Sequence, residues 1–159
     1  MSLPNYLDFE VVKEPWNRYD LADGSMLKTK LVLTKVTKDE QDIRVNAYSF
    51  DFQNIAVVLT GERGPPSSKS YSQDEIRAAT VKEIQHQTIS EEPNEYSVND
   101  GGRIRIKSSV YHVTKTSLFD KSGKPIYWID FNQIPQIKRQ SITETIPSPV
   151  PRTVEVQNG

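Results

Sequence analysis

Cysteine is absent from the 159 residues of this chain. That excludes disulfides, thiolate zinc sites, iron–sulfur clusters and thiol catalysis within it. Histidine occurs only at His86 and His112, without the close spacing of a metal-binding pair, so no metal site is expected. No apolar run reaches the roughly 18 residues of a membrane-spanning helix. The opening MSLPNYLDFEVV lacks the charged-then-apolar order of a secretory signal. Charge of one sign is also missing: 20 basic and 21 acidic residues leave a net −1, with no global pull toward nucleic acid or an anionic membrane. The segment GERGPP (61–66) sets Arg63 among glycines but matches neither phosphate-cradling glycine motif. No Ser/His/Asp constellation assembles without arbitrary choices. The expectation is a cytoplasmic protein without cofactor, metal or membrane association. Its 35% hydrophobic residues suffice for a modest core.

What the chain does contain is a phrase written twice. NRYDLADGSMLKTK (17–30) returns as NEYSVNDGGRIRIK (94–107). At an offset of 77, positions 14–38 and 91–115 share nine identities in 25, among them Glu14/Glu91, Asn17/Asn94, Tyr19/Tyr96, Asp23/Asp100 and Gly24/Gly101. Composition alone predicts about one or two. The match resumes at an offset of 79, where YSFDFQNI (48–55) meets YWIDFNQI (127–134). The two added residues fall near DKSGKP, a turn sequence, where insertions are tolerated.

Each copy reads as β structure. Asp23-Gly24 and Asp100-Gly101 mark turns. Leu27, Thr29, Leu31 and Leu33 alternate with Lys28 and Lys30, the period of a half-buried strand. Val36 and Val113 fall out of phase, which predicts a bulge near Thr34-Lys35 and Tyr111-His112. Tyr48, Phe50 and Phe52 share one face of the next strand, as do Tyr127, Ile129 and Phe131. A separate short strand is expected over 55–59, with a weaker, Pro135-interrupted edge counterpart over 134–137. Residues 7–12 and 84–89 are further extended candidates. Ser72 and Glu75 form a capping box, predicting a helix from Gln73 to about 81–83. The organisation is therefore a β repeat over 6–60, a loop and short helix over 61–83, a second β repeat over 84–139, and a proline-containing, disordered or extended tail over 140–159. Units this small share a core more readily than they stand alone. The fold expected is mainly β: two duplicated small barrel or sheet units related by a pseudo-twofold axis, as one closed barrel or two packed ones.

Candidate chemistry is sparse. Lys28, Lys30, Arg103, Arg105, Lys107 and Lys115 form a recurrent basic set, with Tyr111 or Trp128 available for base stacking. The competing reading is a solvated strand face whose lysines guard the sheet edge. Asp51 and Asp130 recur at equivalent positions, but FDF and IDF are not the contexts of a catalytic carboxylate dyad. Asn17 and Asn94 read as turn-closing residues, and Tyr19 and Tyr96 as core covers with wet hydroxyls. Trp16 faces Pro93 in the alignment, so an aromatic in one copy alone marks either a partner contact or a core plug; Trp128 is a second candidate partner contact.

The hairpins closed by Asp23-Gly24 and Asp100-Gly101, each followed by a long bent strand, resemble the start of SH3-like and Sm-like small barrels. No functional residue carries over from the resemblance; a binding or assembly role is expected because duplicated folds often present two related surfaces and no catalytic constellation is present. The leading functional expectation is a non-enzymatic module that binds a protein partner or itself. A nucleic-acid-binding module using the basic face is the alternative, and a small-molecule enzyme with a site between the copies the third.

Overall fold

A computed structural model describes residues 6–38 and 48–138; the expectation for the tail beyond 139 lies outside them. Over these described residues the chain is mainly β, in two antiparallel five-stranded sheets with one short helix. In order the elements are β1 (Tyr6–Leu7), β2 (Phe9–Lys13), β3 (Asn17–Leu21), β4 (Met26–Lys38), β5 (Tyr48–Leu59), α1 (Gln73–Ala78), β6 (Thr80–Glu83), β7 (His86–Ser90), β8 (Asn94–Val98), β9 (Arg103–Phe119) and β10 (Pro125–Lys138).

Both sheets are built on one plan. In the first, β5 pairs along all of β4, so β3 and β1 lie on the other edge of β4, with β7 outside β3. In the second, β10 runs along β9, β8 and β6 occupy its other edge, and β2 lies outside β8. The outermost strands are thus exchanged: β2, from the first half, completes the second sheet, and β7, from the second half, completes the first.

Local sequence explains the hairpins. Gly24 (φ 88°) and Gly101 (φ 92°) take left-handed backbone that a Cβ would strain. Their amides reach the Leu21 and Val98 carbonyls at 3.0 Å. The long strands alternate as expected, with Leu27, Thr29, Leu31 and Leu33 buried in β4 and Ile104, Ile106, Ser108 and Val110 in β9. The register slips between Leu33 and Lys35, and again across His112 and Val110. These bulges, where the phase break placed them, return Val36 and Val113 to the interior.

Two expectations are corrected. Residues 55–59 and 134–137 are not separate strands but the ends of uninterrupted β5 and β10, because β4 supplies a partner for every residue from Tyr48 to Leu59 and β9 for every residue from Tyr127 to Lys138, Pro135 included. The helix stops at Ala78 rather than near 81–83, because Thr80 and the residues after it pair with β9. Its capping box forms as read, with Ser72 N–H donating to Glu75 at 2.9 Å and Glu75 N–H to Ser72 Oγ at 3.1 Å.

The interior has two apolar clusters, each drawing on both halves. One joins Leu31, Leu33, Val36 and Tyr48 to Tyr96, Val98, Ile104 and Ile106. The other joins Tyr19, Leu21 and Leu27 to Ile84, Val110 and Val113. In each, a hairpin from one half packs on the bent second part of the other half's long strand.

Candidate functional site

Polar side chains bind the halves together at the seams of these clusters. Asn17 Nδ2 donates to the Ser108 carbonyl at 3.1 Å, and Asn94 Nδ2 to the Leu31 carbonyl at 2.6 Å. Tyr19 Oη donates to Glu91 at 2.6 Å, and Tyr96 Oη to Glu14 at 2.6 Å. From one bond of each pair to the other the donor advances by 77 residues and the acceptor falls back by 77, so the two halves exchange roles. The asparagines are therefore not local turn closers: both are buried and reach across the molecule. Nor are the tyrosine hydroxyls wet. Burial pushes both phenols far above their ordinary range, and their bonds to Glu91 and Glu14 push the same way.

The turn carboxylates are engaged similarly. Tyr48 Oη donates to Asp100 at 2.6 Å, and Tyr127 Oη to Asp23 at 2.5 Å. Burial raises the Tyr127 phenol to about 12, aided by Asp23. Burial also works against the Asp23 carboxylate, but hydrogen bonds from Ser25 and Tyr127 outweigh it and hold the carboxyl below its usual value. These bonds are structural clasps. The signal for them lay in the repeat, which kept Glu14 and Glu91 with the tyrosines, but nothing local joined them.

The basic residues divide into three places. Lys28 and Lys30 lie on the outer face of β4, with their ammonium groups 4.7 and 5.6 Å from the Trp16 ring centre; Lys30 also approaches Glu14 at 4.0 Å. Lys115, beyond the β9 bulge, is half-buried and pairs with Glu62 at 2.5 Å. Arg103, Arg105 and Lys107 occupy alternate outward positions on β9, exposed, with no ion pair or cation–π contact among the described residues. Trp128 is half-buried; its Nε1 donates to Asp130 at 2.9 Å and the Arg77 guanidinium lies 5.8 Å from its ring centre.

Two long strands, β5 and β10, each leave one edge unpaired among the described residues, and that of β5 is the less protected. Among the described residues β5 pairs with β4 alone. Ile55, Val57 and Leu59 alternate along its outer face at 41%, 38% and 49% exposure. Its one charge, Asp51, pairs with Lys35 at 3.0 Å. It holds no proline, no lysine and no bulge of its own. The equivalent β10 carries Pro135 and Lys138. Trp16, over Lys28 and Lys30, borders the same patch, since those lysines lie opposite Val57 and Ile55.

Asp51 and Asp130 lie in different sheets, one held by Lys35 and the other by Trp128, so they form no dyad. His112 is exposed and 3.4 Å from Glu83; His86 packs edge-on against Tyr19. No group of three potential metal-ligating side chains occurs among the described residues, and no described helix is long and apolar enough to cross a membrane. The chain matches no known protein family, no curated protein and no solved structure.

Proposed function

We propose that this chain is a non-enzymatic assembly module that pairs with a second copy of itself through the free edge of β5. The observation that carries the reading is the unguarded state of that edge. Exposed strands ordinarily carry charge, proline or a bulge against unwanted pairing. β5 presents three exposed aliphatic side chains on one face, holds neither proline nor bulge, and its one charge, Asp51, is paired with Lys35.

The strand is also self-complementary. In an antiparallel pair with its twofold at Ala56, Ile55 of one copy lies opposite Val57 of the other, and Leu59 opposite Gln53. Small Ala56 sits at the axis, and no like charges meet. An isologous contact of this kind closes as a dimer. Trp16, at the border of the patch, widens the apolar contact.

The same reading takes residues 6–60 and 84–139 as descendants of one duplicated β unit, SH3-like in its bent long strand and related by a pseudo-twofold axis. The matched sheet plans, the paired bulges and the cross-half bonds displaced by 77 residues support it. On this reading the two long outer strands, both at sheet edges, have since diverged: β10 carries Pro135 and Lys138, and β5 carries neither. The absence of cysteine suits a cytoplasmic setting.

The test is size-exclusion chromatography with light scattering at high micromolar concentration. The expected result is a dimer that Val57→Lys converts to monomer with an unchanged circular dichroism spectrum. A wild-type monomer, or a dimer indifferent to the lysine, overturns the proposal.

A further inference from the structure

The two halves treat their outward cations differently. In the first sheet Trp16 covers Lys28 and Lys30, and Glu14 stands beside Lys30. The equivalent positions in the second sheet are Arg105 and Lys107, and Pro93 stands where Trp16 does. Among the described residues no aromatic ring covers those cations, and no carboxylate lies within ion-pair distance of them. Arg103 extends the row by one more outward position. Alternate strand residues are about 6.8 Å apart, so the three charges form a line spaced like the phosphates of an extended nucleic acid strand.

The neighbours of this row are informative. Lys138 lies directly opposite Arg103 across the β9–β10 ladder, on the same face. Like charges in that relation destabilise a sheet, so the pair costs stability unless an anion sits between them. Gln136 lies opposite Arg105, and Asn132 opposite Ser109, placing two amides beside the cations. At the far end of the row Tyr111 is 64% exposed, on the residue added by the bulge. Acidic groups at the face are Glu95, opposite Arg105, Glu10, beyond Ser97, and Glu91, which accepts from Ser109 Oγ at 3.2 Å; at the Tyr111 end Asp130 lies opposite His112 and Glu83 is 3.4 Å from it. Among the described residues none of them forms an ion pair with the row, and Asp130 is already held by Trp128.

We infer that the outer face of β9 and β10 binds single-stranded nucleic acid, with Arg103, Arg105, Lys107 and Lys138 contacting successive phosphates and Tyr111 stacking a base. Charge complementarity selects a polyanion. The exposed aromatic and flanking amides favour one with unpaired bases over a duplex or an acidic peptide. A flat sheet face also has no element to insert into a groove. With about four phosphate contacts, the single-strand salt relation gives a slope near −2.8, an affinity loss of roughly 50-fold between 50 and 200 mM salt.

The experiment is a fluorescence-anisotropy titration of labelled oligouridine, oligothymidine, a DNA duplex and polyglutamate with the full chain at both salt concentrations. Saturable binding of either single strand is expected, tighter than the duplex and polyglutamate, with the stated salt loss. Arg105→Gln should weaken binding and lower the slope by about 0.7. Tyr111→Ala should weaken it with the slope unchanged. Thermal melts confirm that each variant is folded. No binding at low salt overturns the inference, as does binding that Arg105→Gln leaves intact. Preference for polyglutamate or duplex overturns the assignment to single strands. Because the row lies in the sheet that does not contain β5, the same titration with Val57→Lys should be unchanged, which separates this inference from self-association.

Discussion

At the scale of single residues, the least replaceable groups are the buried polar ones. Tyr19 and Tyr96 each carry one hydroxyl into the seam between halves and hand it to a carboxylate. A hydrogen bond to a charged acceptor contributes about 1.5–3 kcal/mol, and removing one partner leaves the other poorly solvated. Tyr19→Phe and Tyr96→Phe should therefore each lower unfolding free energy by about that amount in urea titrations at neutral pH. The same groups set an alkaline limit. Their folded-state pKa values, with that of Tyr127 at about 12, lie above the unfolded value near 10. The unfolded chain loses these protons first. Their stabilisation is complete below about pH 10 and falls as pH rises through the folded values. Urea midpoints measured from pH 8 to 12 should decline only above about 10, and the double phenylalanine variant should decline less steeply. A flat wild-type profile would contradict the burial of these phenols.

At the scale of elements, what could be read from sequence was what neighbouring residues decide. The capping box at Ser72, the glycine turns, the alternation of β4 and β9, and the bulges that rescue Val36 and Val113 each follow from a few adjacent side chains. The helix illustrates the limit. Its cap is local and formed, but its end is set by β9 taking Thr80 into a ladder, which no helical signal announces. The pairing of β2 and β7 was equally hidden, because five-residue strands without clean alternation do not specify which edge they cover. For the candidate surfaces, composition located the basic residues, yet only the fold separates Lys28 and Lys30, under Trp16, from the uncovered row on β9. Because α1 buries no residue, Ser72→Ala should have a local effect. Loss of the cap costs about 1 kcal/mol. Amide exchange over residues 73–78 should accelerate several-fold while the strands retain their protection and the melting temperature stays nearly constant.

At the scale of the whole molecule, the exchange of outer strands ties the halves into one folding unit. Neither half contains a complete sheet: the first gives β2 away and needs β7, and the second does the reverse. Neither contains a complete core, since each cluster takes its hairpin and its bent strand from different halves. A half alone would also leave the buried asparagines and tyrosines without their acceptors. The conformational cost of ordering some fifty residues, about 1–2 kcal/mol each for the backbone, is met only when both surfaces are present. Chains of residues 1–60 and 61–159, expressed separately, should therefore each fail to fold as a monomer. They should show unfolded circular dichroism or, if the exchange occurs between two copies of one half, appear only as a dimer by light scattering. Mixed in equal amounts, they should recover the spectrum of the intact chain. A half that folds cooperatively as a monomer would mean that its own hairpin and bent strand can close a core in cis, and the exchanged strands would then be an ornament of the architecture rather than its cause.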